Sequence, residues 1–345
     1  MNKLLKIIPL LLLISCSKNT FNGKYFQIKR CEPTTVKCEI INQEVLGAVT
    51  GVAADSLYIY YTLMNPEYRL AISDMNSNSI VDIASVGRGP NEYTMLNIYN
   101  RSFKEENNQY IWILDVLNNS ADKLNVTQSF VKHKTIIDDK ILLNDLFKDE
   151  KEMSGQILSF DVINDSLAVC VVVKPDRTDV RGVYNYAKKR MQYCYDNLFA
   201  PCNRSSLNGL IIDVRPDMEK IVMISTVFNQ INVCDINGKN AFSLSMGKNP
   251  ISIKVMERLS DQDLTSYFKQ KTLPSAMVLT DDNIIVNYLD RLNKKSELFI
   301  FDWKGNLQKI LQPDVCIQSI SLATNGDIVG FVSDTILCRI DAEYI

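Results

Sequence analysis

Asp55-Ser56-Leu57-Tyr58-Ile59-Tyr60 sets a polar two-residue turn directly before an apolar β run. Short polar side chains bond neighbouring backbone groups and favour a tight turn, while tyrosine and isoleucine fit a pleated, half-buried surface. The join recurs at Asn108-Gln109, Asp165-Ser166, Glu219-Lys220, Asp282-Asn283 and Gly326-Asp327, each followed by an apolar run. From Asp55 through Gln109, Asp165, Glu219 and Asp282 to Gly326, the intervals are 54, 56, 54, 63 and 44 residues. Units of that length cannot hide an apolar face alone and must stack. The pattern predicts an all-β fold, a six-bladed β-propeller of four-stranded antiparallel blades.

Working outward, strands at 45–53, 57–63, 68–72 and 80–86 complete the first blade. In the fourth unit, Asn237-Gly238 is a strong hairpin signal. Residues 251–271 break the repeat: Val255, Met256, Leu259, Leu264 and Phe268 recur at helical spacing. An inserted amphipathic helix there accounts for the long interval, packed on a blade face, covering a channel end, or offered to a partner. The last unit has only three strands, and the strand at 36–41 has no blade of its own. Pairing 36–41 with 335–340 would satisfy the exposed edge and close the ring, making 36–345 a single domain.

The chain has 345 residues, 46% of them apolar, enough to bury a large core. Its net charge of −2 leaves no basic surplus to hold a phosphate backbone, which excludes nucleic acid as an expected partner. Lys3 and Lys6 precede an apolar stretch at 7–14 that is short for a membrane span and suits a secretory leader. Leu13-Ile14-Ser15-Cys16 resembles a bacterial lipobox, which implies a signal peptide at 1–15 and diacylglycerol on Cys16. The alternative is an ordinary signal peptide with an incidental cysteine. Residues 16–35 are then the lipidated cysteine and a tether, and three acyl chains anchor far more firmly than one. By the same resemblance, Ser17 in place of aspartate favours the outer membrane. The lack of acidic residues in Lys18-Asn19-Thr20 favours a periplasm-facing protein over a surface-exposed one.

Gly87-Arg88-Gly89-Pro90-Asn91-Glu92-Tyr93 is the most distinctive segment. Two glycines and a proline make a tight crossover between blades. It is no phosphate loop, since neither Gly-Lys-Ser/Thr nor a helical pattern follows. Arg88 and Glu92 either pair with each other or face the channel mouth, so Arg88, Asn91, Glu92 and Tyr93 are the candidate ligand-binding residues. A fourth strand ending in this Gly-x-Gly-Pro-Asn-Glu pattern resembles the TolB-like six-bladed propeller lipoproteins of Bacteroidota. The lipobox, the length and the Asp-Ser-Leu turns agree, and Met246-Gly247-Lys248-Asn249-Pro250 is a partial echo. The resemblance implies a fold and an address, and no particular chemistry. Asp55-Ser56-Leu57, Asp165-Ser166-Leu167 and Asp334-Thr335-Ile336 also resemble O-glycosylation sites of exported Bacteroidota proteins. That implies Ser56, Ser166 and Thr335 as acceptors, although turn chemistry alone accounts for these residues.

Catalytic signatures are sparse. His133 is the only histidine, so a multi-histidine metal site is excluded and a Ser-His-Asp triad has one possible base. No Gly-x-Ser-x-Gly elbow is present. Asp74, Asp235 and Asp302 each close a third strand, a solvated turn role. Apart from Cys16, eight cysteines would meet an oxidising compartment. Cys31 with Cys38, and Cys194 with Cys202, are close enough in sequence to form disulfides. Cys170, Cys234 and Cys338 sit in apolar strand patterns as core thiols. With no Cys-x-x-Cys pair, neither metal nor cofactor is expected. Two function classes remain. One is a non-enzymatic module binding protein, peptide or glycan at a channel mouth. The other is an exported glycan lyase or hydrolase, which needs Arg88, Glu92 and Tyr93 to converge with residues of other blades.

Overall fold

The second strand of the first blade, Tyr58–Met64, is buried on both faces, which is what a strand between two neighbours requires. Its alternate residues enter different cores. Tyr58 and Tyr60 pack with Ile111, Ile113 and Leu124 of the second blade. Ile59, Tyr61 and Leu63 pack with Val329, Phe331 and Leu337 of the sixth. The same division recurs in the third blade, where Cys170 and Val172 face Leu114 while Val169 and Val171 face Met223. Each fully buried aliphatic or aromatic side chain contributes roughly 1.5–3 kcal/mol, so stacking supplies what a lone blade cannot.

This computed structural model describes residues 24–42, 48–77, 79–147, 155–174, 179–195, 210–227, 229–245, 258–333 and 336–345. Six sheets form the six blades of the propeller. Blade one is Ala48–Ala54, Tyr58–Met64, Tyr68–Asp74 and Ile80–Ser85. Blade two is Leu96–Glu105, Asn108–Asp115, Ser120–Asn125 and Ile137–Leu142. Blade three is Gln156–Val162, Leu167–Val173, Asp179–Asn185 and Arg190–Cys194. Blade four is Leu210–Val214, Lys220–Ser225, Gln230–Asp235 and Phe242–Ser245. Blade five is Thr272–Leu279, Asn283–Asp290, Lys295–Asp302 and Leu307–Pro313. Blade six takes Ser319–Leu322, Ile328–Ser333 and Ile336–Ile340 from the end of the chain.

The fourth strand of blade six comes from the other end of the chain. Glu39–Asn42 runs antiparallel to Ile336–Ile340, with Ile41 opposite Leu337 and Glu39 opposite Arg339. The stretch 36–41, expected as one strand, is divided. Val36 ends a separate strand, Thr34–Val36, which lies parallel to Leu307–Pro313 on the edge of blade five. Asp314 turns the chain between them: its N–H donates to Val36 O (3.0 Å) and its carboxylate accepts from Cys38 N (2.9 Å). Upstream, Lys24–Gln27 lies parallel to Phe242–Ser245 on the edge of blade four. The described part of the expected tether is therefore built into the sheets, because each blade offers an edge whose backbone groups need partners.

Three α-helices are described, besides a 3-10 turn at Ala342–Tyr344. α1 is Val126–Lys132, α2 is Leu143–Phe147 and α3 is Asp261–Lys269. The last is the inserted helix; the first part of the expected segment, 251–257, lies outside the described residues, as does the echo at 246–250. Among the described residues, no helix is long and apolar enough to cross a membrane.

Candidate functional site

The first strand of every blade faces the central channel, so a side chain that leaves the strand register there enters the lumen. Leu96–Glu105 does this. It pairs at Ile98 with Ile113 and resumes at Ser102 with Ile111, so Tyr99, Asn100 and Arg101 face the single residue Trp112. Such bulges bend a strand and re-aim its side chains. Here the bulge sends Arg101 across to blades three and four. Its Nε donates to Asp161 Oδ2 at 3.0 Å, and its Nη2 donates to Asp213 Oδ1 and, at 2.7 Å, to Val214 O. Tyr99 Oη accepts from Phe160 N at 3.0 Å and ties the bulge to blade three.

The cluster holds one positive charge against two carboxylates, with Asp161 only 5% exposed. Burial is the main influence on Asp161 and pushes its carboxyl up to about 7; Arg101 opposes this and the Asp213 charge adds to it. Burial likewise works against the Arg101 charge, but the two carboxylates more than compensate and hold the guanidinium above its ordinary range. Asp161 Oδ1 is buried without a hydrogen-bond partner. A carboxyl that takes a proton there becomes a donor as well as an acceptor.

Arg101, Asp161 and Asp213 stand between two chambers. The larger, of about 540 Å³, is lined by Arg101, Phe103, Trp112, Asn164, Asp165 and Asp213 among others. The smaller, of about 290 Å³, is lined by Thr50, Tyr99, Ser159, Asp161, Asp213 and Ser275 among others. A third cavity of about 640 Å³, at the opposite mouth, lies beside α3 and carries Lys269, Lys271 and Arg291. Aromatic faces beside carboxylates and a guanidinium suit a ligand with both apolar faces and hydroxyl or amide groups. Among the described residues, no group of three or more His, Cys, Asp or Glu side chains is gathered to hold a metal ion.

The residues singled out from the sequence lie elsewhere. Glu92 folds back on its own loop and accepts from Gly89 N at 2.7 Å, while Glu92 N donates to Gly89 O at 3.1 Å. A Cβ on Gly87 would lie 2.0 Å from Glu92 Oε2, so the glycine makes room for this carboxylate. Asn91 adopts φ 59°, which asparagine tolerates. Tyr93 is buried between blades one and two and donates to Asp122 Oδ2 at 2.9 Å. Arg88 is exposed. None of the four lines the channel chambers; Glu92 and Tyr93 fasten a crossover.

Ser56 is exposed, above an Asp55 carboxylate that is fully buried and accepts from Leu57 N (2.7 Å), Tyr58 N (2.8 Å) and Tyr60 Oη. In blade three that role falls to Asn164, which accepts from Ser166 N and Leu167 N at 3.0 Å. Ser166 is half-buried. The matching turn is therefore shifted by one residue from Asp165. Asp74 and Asp302 cap turns through backbone N–H groups, and Asp235 pairs with Lys220 at 2.8 Å. His133 is exposed and closes α1 in the left-handed region at φ 51°. Cys31 is exposed and Cys38 buried, and both, like Cys338, are free thiols. Cys38 points into a core shared with Cys338. Cys194 is exposed, and Cys16, Cys202 and Thr335 lie outside the described residues.

Arg101 itself escaped the sequence reading. Its only signal is Asn100-Arg101-Ser102 interrupting an otherwise apolar strand pattern.

No family profile matches the chain, and no curated protein matches it. Solved structures do resemble it. A member of the DUF4221 family from Bacteroides vulgatus ATCC 8482 superposes with a TM-score of 0.57 at 9% identity, over 89% of this chain and 96% of that one. A Bacteroides fragilis NCTC 9343 protein predicted to be exported gives 0.57 at 10% identity, over 92% and 99%. A luciferin-regenerating enzyme gives 0.52 at 10% identity, over 88% and 95%. At such identities the likeness establishes the shared propeller fold alone.

Proposed function

We propose that the protein is an exported, lipid-anchored propeller that captures a glycan or peptide segment in the larger channel chamber and performs no chemistry on it. The observation that carries this reading is the bulge at Tyr99–Arg101. It spends strand register to place a guanidinium between Asp161 and Asp213, opposite Trp112. Arg101 is held by three acceptors and is a fixed wall, while Trp112 in the chamber lining is the aromatic surface on which sugar rings or apolar side chains would stack. The lipobox ending at Cys16 supports attachment to the outer membrane, facing the periplasm. Exposed Ser56 is the best placed of the proposed O-glycosylation acceptors.

The test is a screen of arrayed glycans and peptides with the full chain and with Trp112→Ala. Retention of a ligand class by the native protein, weakened at least tenfold in the variant, supports the reading; equal retention refutes it. Metabolic labelling with a palmitate analogue, lost in Cys16→Ser, tests the anchor, and intact mass tests the sugars.

One observation favours a second reading. Asp161, raised to about 7, shares the Arg101 guanidinium with Asp213, and a carboxyl able to hold a proton near neutral pH is what glycan hydrolysis or elimination uses as its acid. New reducing ends or unsaturated uronates released from a bound glycan would establish it, and their absence at neutral pH would dismiss it.

A further inference from the structure

The seam where the ring closes holds two thiols that no other part of the structure uses. Cys338 lies at the centre of Ile336–Ile340, opposite Ile40 on the closing strand. Cys38 stands two residues before Ile40, in the turn that leads into the closing strand. Both are buried, Cys38 at 5% and Cys338 at 0% exposure, and both belong to the core between blades five and six. The Cys38 thiol is the largest influence on the Cys338 thiol and raises it. Gly330 sits directly opposite Cys338, and a Cβ there would lie 2.8 Å from Ile317 Cγ2 and 2.9 Å from Cys338 Sγ, so the missing side chain makes room for both. Cys38 is also held from behind, its N–H donating to Asp314 Oδ1 at 2.9 Å.

We propose that Cys38 and Cys338 form a disulfide that fastens the N-terminal closing strand to the last strand of the chain. The oxidant is a small or protein disulfide of an oxidising compartment. One protein thiolate attacks it and releases a thiol, leaving a mixed disulfide; the second protein thiolate attacks the bonded protein sulfur and releases the other thiol. The two protons of the protein thiols end on the two released thiols, and the oxidant's disulfide is the bond reduced. Contact with Cys38, together with burial, pushes the Cys338 thiol up. The thiolate is therefore scarce in the closed ring, and the exchange belongs to folding, before the seam is shut. Once made, the bond is shielded by the same burial. It ties together residues near the two ends of the propeller, where a cross-link restricts the unfolded chain most in the loop-entropy picture.

The test needs no variant to begin. The full chain, with its own leader, is produced in a disulfide-forming bacterial compartment, alkylated in denaturant without reductant, digested and mapped by mass spectrometry. The same mapping follows refolding of cytosolic protein in a glutathione buffer, which separates the chemistry of the pair from the question of export. A Cys38–Cys338 peptide pair in both samples is expected. Oxidised protein should also melt about 5 °C or more above reduced protein, a difference abolished in Cys38→Ser and in Cys338→Ser. Alkylation of both thiols in both samples, or a bridge from Cys38 to Cys31, overturns the proposal.

Discussion

Arg101 Nε lies 3.0 Å from Asp161 Oδ2, a contact from the bulge of blade two to the first strand of blade three. Removing the guanidinium strands two carboxylates inside the channel. Losing one partner of a fully buried pair costs about 3–5 kcal/mol. Asp161 takes a proton readily and Arg101 is 21% exposed, so Arg101→Ala should cost about 2–3 kcal/mol in urea unfolding. Adding Asp161→Asn should return part of that loss. A variant as stable as the parent would show that the cluster holds nothing together.

The raised carboxyl of Asp161 sets a pH dependence with a definite sign. Its folded-state value is about 7, against an unfolded reference of about 3.9. Between these values the folded state binds more protons than the unfolded one, so stability falls as pH rises from about 4 to about 7. The slope from this one group is at most about 1.4 kcal/mol per pH unit. Melting curves across that window should be steeper in pH for the parent than for Asp161→Asn. Parallel curves would refute the assignment.

Tyr93→Phe separates the crossover from the channel. The hydroxyl donates to Asp122 Oδ2, whose carboxylate is buried with Lys140 at 3.1 Å as its other described partner. Its loss should cost about 1–2 kcal/mol and leave capture in the larger chamber unchanged. Weakened capture at full stability would instead return Tyr93 to the binding surface.

Deleting residues 24–42 should be severe. Blades four and five lose outer strands, and blade six its fourth, baring backbone along Phe242–Ser245, Leu307–Pro313 and Ile336–Ile340. Open edges template association, so gel filtration should show oligomers or aggregate in place of a single monomer peak. A clean monomer with native circular dichroism would mean these strands are ornamental.

The six-fold period was legible because its signals are local. A polar turn before a β run reflects side chains bonding their own backbone, as Asp55 does with Leu57 and Tyr58. The same locality blurred register by one residue in blade three, where Asn164 does the capping and Asp165 merely follows it. The division of 36–41 depends on Asp314, distant in sequence, turning the chain at Cys38. Arg101 was hidden for a related reason. Its position comes from a bulge anchored through Tyr99 to Phe160 and from carboxylates two further sheets supply. The Arg88–Tyr93 loop, by contrast, announced itself through glycine and proline, which mark tight backbone and say little about where a ligand sits.

Lys24 lies beside Phe242, at the start of the outermost strand of its blade, on the end of the ring where Val214 borders the larger chamber. Under the proposed lipidation of Cys16, residues 17–23 would reach at most about 25 Å when fully extended. They would moor the ring by its rim with the Trp112 opening turned toward its own leaflet. Lys269, Lys271 and Arg291 would then face away from the bilayer, and a ligand of the proposed chamber would approach through the gap between lipid and protein.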